Sequence, residues 1–151
     1  MRRFLFAVPL ALIAAAVWAF WPQAGVRTAT GLDWQNPEVL ALGRTVYAEN
    51  CAACHGADLE GQADWRQRGP DGLLPAPPHD ESGHTWHHSD EILLRIVKEG
   101  TAAIVGGGYE SDMPGFAEVL GDEEIRAVVD YIKSTWPERA RSYQQRMSQP
   151  D

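Results

Sequence analysis

Two cysteines and a histidine lie close together near the middle of the chain, in the run Cys51-Ala-Ala-Cys54-His55. The spacing Cys-x-x-Cys-His is the attachment signature of a c-type haem. Two thiols add across the two vinyl groups of one haem, and the following histidine reaches the iron as an axial ligand. The run therefore predicts one covalent haem c with its iron, bound through Cys51, Cys54 and His55.

Two other kinds of site use paired cysteines. A thioredoxin-like dithiol requires a βαβ context, which this sequence lacks. A zinc site requires four ligands, so the two cysteines would need help from histidines in the following loop. The histidines that could in principle give this help are His79, His84, His87 and His88.

The second axial ligand of the iron is expected to be Met113. Of the three methionines, Met1 precedes an apolar run and Met147 lies in the C-terminal tail, whereas Met113 lies in a loop before Pro114-Gly115-Phe116. A thioether favours ferrous iron and raises the reduction potential. The alternatives are a methionine that merely fills a gap, and ligation by a histidine of the loop 79–88.

The elements around this run are predicted to be helical. Asn36-Pro37 indicates a helix start, because asparagine caps free backbone amides and proline fits the first turn. Apolar residues then recur at helical spacing, which predicts helix one over residues 37–50, leading directly into the cysteine run. Residues 56–88 show no sustained period, and a loop of this length is expected to lie over a large cofactor.

Two more helices are predicted after this loop. Ser89 caps the second helix and Gly100 ends it. Asp122 is expected to cap the third helix, whose apolar residues at helical spacing are Ile125, Val128, Val129, Ile132 and Trp136, before Pro137 stops it. A flexible stretch is expected over 101–112, and a charged, peripheral tail with room for a helical turn or two is expected over 138–151. No segment shows strand alternation, so the predicted fold class is all-α.

The N-terminal segment 1–22 is predicted to be a membrane anchor. Arg2-Arg3 precedes residues 4–21, which carry no charge and would span roughly 27 Å as a helix. Basic residues before an apolar run keep the N-terminus in the cytoplasm. A cleaved signal peptide is the alternative. Residues 23–36 are polar and are expected to form a tether, so the folded part would lie in the periplasm.

The net charge excludes one class of partner. The chain carries 13 basic and 21 acidic residues, a net charge of −8. Nucleic-acid binding requires a basic surface, so no nucleic-acid partner is expected. An acidic body suits solubility, and also docking to a basic patch on a partner protein.

Taken in order, these features resemble the class I cytochromes c, which are small mono-haem, mostly helical electron carriers. The resemblance covers residues 37–136 and includes the run from Cys51 to Gly56, the loop from Met113 to Phe116, and Gly43, Tyr47, Tyr131 and Trp136. It implies three to four helices around one covalent haem. It also implies that the first and last helices cross at Gly43, Tyr47 and Tyr131. A proline carbonyl would accept a hydrogen bond from the His55 ring, with Pro75, Pro77 and Pro78 as candidates.

The function that this resemblance implies is single-electron transfer in a periplasmic respiratory chain, between redox proteins that act as donor and acceptor. The protein would be a single-pass protein of the inner membrane, and a carrier rather than an enzyme. The alternatives are a haem subunit of a larger redox enzyme, a haem sensor or small peroxidase, and a metal-handling module built on the histidine loop. In that loop, Trp86, Arg66 and Arg68 are candidates to bind the haem propionates, while His84, His87 and His88 are expected to be solvated.

Overall fold

All regular structure in residues 31–149, the part of the chain that the computed structural model describes, is helical. Six α-helices follow one another, with one turn of 3₁₀-helix at Thr85–His87. The α-helices are α1 (Pro37–Asn50), α2 (Ala52–His55), α3 (Asp90–Glu99), α4 (Thr101–Val105), α5 (Asp122–Ser134) and α6 (Glu138–Met147). The all-α prediction is confirmed, although the described residues form more helices than the three or four expected.

The predicted bounds of α1 and α3 are confirmed, and their caps explain why. The Asn36 side chain accepts hydrogen bonds from the amides of Glu38 and Val39, at the start of α1. The Ser89 side chain accepts from the amide of Ile92 at the start of α3. These bonds satisfy amides that have no partner within the helix, which sets where each helix begins.

The start of α5 differs from the prediction by one residue. The cap is Gly121 rather than Asp122, which is the first residue of the helix. The amide of Gly121 donates to the Glu124 carboxylate at 2.8 Å. Glu124 thus helps to cap the helix, while Asp122 and Glu123 place further negative charge at its positive end. Trp136, predicted within this helix, follows its end and is only 1% exposed.

Helices α1 and α5 cross at very short range. A Cβ atom on Gly43 would lie 2.0 Å from the carbonyl oxygen of Ala127 and 2.8 Å from the Cβ of Tyr131. The ring of Tyr47 contacts the ring of Tyr131, with centroids 5.5 Å apart. Glycine is therefore required at position 43 because backbone atoms occupy the place of a side chain. The expected crossing at Gly43, Tyr47 and Tyr131 is present.

The core lies between α1, α3 and α5 and continues under the C-terminal helix. One contiguous cluster of buried apolar side chains fills it. Its members are Leu32, Val46, Tyr47, Leu59, Leu93, Leu120, Ile125, Val128, Val129, Ile132, Trp136 and Ala140.

Two segments predicted to be irregular are helical. Residues 101–105, placed in a flexible stretch, form α4. Residues 138–147, placed in a peripheral tail, form α6, in which Ala140 and Gln144 are fully buried. The Gln144 amide donates to the Asp90 carboxylate at 2.6 Å, and Lys133 forms a buried ion pair with the same carboxylate. The charged surface of α6 concealed this packing in the sequence.

The end of the predicted tether packs on the helices. Leu32 is fully buried, and the amide of Asp33 donates to the Asp130 carboxylate at 2.9 Å. The guanidinium of Arg141 lies over the Trp34 ring, 4.9 Å from its centroid. Residues 31–36 are therefore in contact with α5 and α6.

The predicted membrane anchor at 1–22 and most of the tether lie outside the described residues. Within residues 31–149, no helix has both the length and the apolar character needed to cross a bilayer.

Candidate functional site

The two cysteines and the histidine of the predicted attachment run are brought together on one helical turn. The carbonyl of Cys51 accepts hydrogen bonds from the amide of Cys54 at 3.1 Å and from that of His55 at 2.9 Å. Cys51 is half-buried and Cys54 is exposed. Burial, and then the neighbouring Cys54, raise the pKa of Cys51 to about 11. Both sulfur atoms and the imidazole are thus within one turn, as attachment to a single haem requires.

One hydrogen bond sets the tautomer of His55. Its Nδ1 lies 2.9 Å from the carbonyl oxygen of Pro77. A carbonyl can only accept, so Nδ1 carries the proton, and Nε2 has its lone pair available for a metal ion. Burial lowers the pKa of His55, although the bond to Pro77 opposes this effect. The ring is therefore neutral, as a metal ligand must be. Of the three candidate prolines, the structure selects Pro77.

Tyr47 supports the turn that follows His55. Its hydroxyl donates to the carbonyl of Gly56 at 2.9 Å, and its ring is 2% exposed. Burial raises the pKa of Tyr47, so the hydroxyl stays protonated and remains a donor. Gly56 has φ +82°, a conformation that glycine adopts without strain. Tyr47 thereby connects α1 to the peptide that leaves the attachment run.

His79 contacts His55 directly, which the sequence did not indicate. The two imidazole rings are stacked, with centroids 4.0 Å apart and planes inclined by 23°. Burial, followed by the charges of His55 and His84, lowers the pKa of His79 well below its ordinary value. From the sequence alone, His79 is one of the four histidines of the loop 79–88. The available signal was its position two residues after Pro77, the residue whose carbonyl orients His55.

Met113 is presented by a different part of the chain. Its sulfur accepts a hydrogen bond from the Thr101 hydroxyl at 3.3 Å, and its amide donates to the Ser111 hydroxyl at 3.2 Å. The methionine is half-buried. The structure thus brings Cys51, Cys54 and His55 together, and places Met113 separately, against α4.

Close backbone packing fixes the loop that carries Met113. A Cβ atom on Gly100 would lie 2.8 Å from the amide nitrogen of Gly115, and one on Gly115 would lie 2.7 Å from the carbonyl carbon of Glu99. The amide of Phe116 also donates to the carbonyl of Val97 at 2.9 Å. The end of α3 and the residues after Met113 are therefore in contact, which limits where the thioether can lie.

The remaining loop histidines lie near the surface among aromatic rings. His84 stacks on Trp65, with centroids 5.4 Å apart, and His87 lies against Trp86 at 3.7 Å. The side chains of His84 and His87 are exposed. In residues 31–149 no three side chains of His, Cys, Asp or Glu are grouped so that they could hold a metal ion. The described residues thus offer no ready zinc site.

The two arginines considered for the haem propionates have other contacts. The guanidinium of Arg66 lies 3.9 Å from the centroid of the Trp65 ring. Arg68 donates to the carbonyl of Gly72 at 2.6 Å and lies over the Tyr109 ring at 5.6 Å. The contact between Arg68 and Tyr109 brings the long loop beside the segment that leads to Met113. A role for either arginine in propionate binding stays a prediction.

The donor set fits a c-type haem. It combines two thiols on one turn, a buried neutral imidazole with one fixed tautomer, and a half-buried thioether on a well-packed loop. Imidazole and thioether are the axial donors of cytochromes c, and a carbonyl bound to the far nitrogen is the expected support for a ligating histidine.

Comparisons with known proteins agree with this donor set. The family model for cytochrome c matches residues 40–136. A cbb3-type cytochrome c oxidase subunit CcoP from Azospirillum sp. (strain B510) is 32% identical over 93 residues, 62% of this chain and 27% of the relative. A subunit FixP of such an oxidase from Azorhizobium caulinodans is 27% identical over 104 residues, 66% of this chain and 32% of the relative.

A third relative belongs to a different complex. The gluconate 2-dehydrogenase cytochrome c subunit from Pantoea cypripedii is 27% identical over 101 residues, 66% of this chain and 21% of the relative. The chain spans about a third or less of the length of all three relatives. No solved structure matches it.

Proposed function

Because the chain belongs to the cytochrome c family and its cofactor is accordingly haem c, we propose that it transfers single electrons between redox proteins. In this proposal Cys51 and Cys54 form the thioether bonds to the haem, and His55 and Met113 are the axial ligands of its iron. The observation that carries the proposal is the bond from His55 Nδ1 to Pro77, because it prepares Nε2 for the iron.

Haem c supplies an iron that alternates between the ferric and ferrous states. The protein's own residues keep the ligands in place during this change. Pro77 fixes the His55 ring, and Tyr47 fixes the turn behind it. Packing of Gly100 against Gly115 limits movement of the Met113 loop. If His55 and Met113 both held the iron, no ligand position would be left for a substrate or a gas, which would suit the site to electron transfer.

We propose an anchor over 1–22, a tether over 23–36 and a cytochrome domain over 37–136, as the sequence predicts. Residues 31–36 of the tether and helix α6 of the predicted polar tail, 137–151, pack on that domain. In this arrangement the chain is a single-pass protein of the inner membrane, with its haem domain in the periplasm. The support comes from the sequence, namely the uncharged residues 4–21 behind Arg2-Arg3.

A second candidate function is that of a haem subunit in a larger respiratory complex. The names of the relatives support it, since they describe subunits of oxidases and of a dehydrogenase. The chain would then receive or deliver electrons within a stable assembly. Affinity purification of the full chain after mild solubilisation distinguishes the two candidates. A stoichiometric redox partner supports the subunit, and a chain that purifies alone supports the mobile carrier.

The axial ligands are tested by optical spectroscopy of the full, haem-loaded chain. The near-infrared charge-transfer band of a methionine–iron bond should be present in the ferric protein. Met113→Ala should remove the band and lower the reduction potential, because a soft ligand that favours ferrous iron is lost. Met147→Ala is the matched control, because Met147 lies on α6 and is 48% exposed. A band that persists in Met113→Ala, or ready binding of carbon monoxide by the unaltered ferrous protein, contradicts the assignment.

A further inference from the structure

The ring of His55 is in contact with neighbouring residues on two sides. Pro77 accepts a hydrogen bond from the edge of the His55 ring, at Nδ1. His79 covers a face of the same ring at a centroid distance of 4.0 Å. A single hydrogen bond at the edge restrains the position of Nδ1, but it leaves the ring able to tilt about that point. A flat neighbour against the face opposes such a tilt.

His79 is itself firmly positioned. Its amide donates to the carbonyl of Leu59 at 2.8 Å, and its carbonyl accepts from the indole nitrogen of Trp136 at 2.7 Å. Its ring nitrogen Nδ1 is joined to the Thr85 hydroxyl by a hydrogen bond of 2.8 Å. Backbone and ring are therefore restrained from three different segments of the chain.

The bond to Thr85 is the one that apolar packing would not need, because the other two bonds belong to the backbone and any residue other than proline at position 79 could form them. A leucine or phenylalanine would fill the space behind His55 without any polar partner, whereas an imidazole there needs a hydrogen-bond partner. Thr85 provides that partner within the same loop. A half-buried polar ring beside an axial ligand also makes the surroundings of the iron more polar. Burial and polarity are two of the means by which a protein adjusts a haem potential.

We propose that His79 is a positioning residue for His55: through its stacked ring it sets the plane of the axial imidazole, and with its polarity it lowers the reduction potential of the haem. This inference rests on the proposed function, in which His55 ligates the iron. Secondary contacts of this kind orient a ligand and alter the electronic properties of a metal. The plane of the axial imidazole contributes, together with the orientation of the second ligand, to how the unpaired electron of ferric iron is distributed over the haem.

The experiment compares the haem-loaded full chain with His79→Leu, His79→Phe and Thr85→Val. The paramagnetic shifts of the haem methyl protons in the ferric state report the imidazole plane, and redox titration reports the midpoint potential. His87→Leu is the matched control, since His87 is an exposed histidine of the same loop whose ring contacts Trp86 and Tyr143.

We expect His79→Leu to change the order of the methyl shifts and to raise the midpoint potential, because apolar surroundings disfavour the ferric charge. His79→Phe should restore the order of the shifts, because a flat ring returns, but its potential should stay raised. Thr85→Val should move the methyl shifts and the midpoint potential in the same direction as His79→Leu does, but by a smaller amount. His87→Leu should change neither.

The near-infrared band separates this inference from the proposed function. If the band is absent from the unaltered protein, the proposed ligation fails. If the band is present while His79→Leu and Thr85→Val leave the methyl shifts and the potential unchanged, the role of His79 is overturned and the ligation stands. If His79→Leu fails to load haem, the other two variants decide. His79→Phe and Thr85→Val should each raise the midpoint potential above that of the unaltered protein, and a potential that neither variant raises overturns the role of His79.

Discussion

At the scale of the residue, Tyr47 shows how one polar atom connects the core to the site. The side chain belongs to the core of α1, whereas its hydroxyl donates to the Gly56 carbonyl just after the attachment run. The ring also lies between the rings of His79 and Tyr131, with centroid distances of 6.3 and 5.5 Å. Tyr47 is therefore part of both the helix crossing and the support of His55.

Tyr47→Phe is expected to lower the free energy of unfolding by about 1 kcal/mol, because the ring still packs but the bond to Gly56 is lost. Chemical denaturation, followed by far-ultraviolet circular dichroism, measures this change. Tyr143→Phe is the control, since Tyr143 is half-buried and its ring lies against Trp86, His87 and the guanidinium of Arg146. If both variants lower the free energy of unfolding by the same amount, the hydrogen bond from Tyr47 to Gly56 makes no specific contribution to stability.

At the scale of the element, the crossing of α1 and α5 fixes the relative position of the two longest helices within residues 31–149. The carbonyl of Ala127 lies where a side chain at position 43 would begin. Because α1 leads directly into the cysteine run, any separation of the two helices moves Cys51 and His55 as well. The crossing therefore affects both the stability of the fold and the geometry of the site.

Gly43→Ala is expected to lower the free energy of unfolding by about 3 kcal/mol, since the helices must separate to admit one methyl group. Thermal and chemical denaturation of the haem-loaded chain measure it. Gly121→Ala is the control. A Cβ atom there would meet only the Glu124 carboxylate, at 3.6 Å, and the change at a helix cap costs less than about 1 kcal/mol. If Gly43→Ala is as stable as the control, the helices have more freedom than their contact indicates.

At the scale of the whole molecule, buried polar groups join the segments before and after the central helices. Asp130 on α5 is 1% exposed and accepts a hydrogen bond from the amide of Asp33 at 2.9 Å. Burial raises its pKa to about 6, although the bond from Asp33 and the charge of Lys133 oppose the increase. The ordinary pKa of an aspartate is 3.8.

A raised aspartate pKa gives the fold a definite dependence on pH. Between pH values of about 4 and 6 the folded chain holds a proton that the unfolded chain has released. The contribution of Asp130 to stability is therefore greatest at low pH and declines as the pH rises through this window. Asp130→Asn should remove the decline, so the variant gains stability relative to the unaltered chain as the pH rises.

The measurement is chemical denaturation at several pH values between about 4 and 7. Asp122→Asn is the control, because a hydrogen bond from Lys98 lowers the pKa of Asp122 below its ordinary value. The stability difference between that variant and the unaltered chain should be constant between about pH 4 and 7, because the carboxyl has lost its proton in both the folded and the unfolded chain. If the difference in stability between Asp130→Asn and the unaltered chain does not change with pH, the pKa of Asp130 is not raised in the folded chain.

Local signals predicted α1, α3 and the attachment run, because a cap, an apolar repeat or a fixed spacing lies within a few neighbouring residues. The choice of Pro77 and the stacking of His79 depend on the path of a long loop, which no local pattern specifies. The burial of α6 was concealed for a similar reason. Gln144 is polar, and its contacts with the His88 carbonyl and the Asp90 carboxylate, both distant in sequence, explain why it is inside.

The contact at Gly43 also limits how this chain can change by mutation. A clash between two side chains can be relieved by a second substitution that shortens one of them. Here the obstructing atom is the backbone oxygen of Ala127, 2.0 Å from the place of a Cβ, and no replacement at position 127 removes it. A genetic screen for suppressors of Gly43→Ala should therefore return glycine at 43 itself, and a designed library should leave this position fixed.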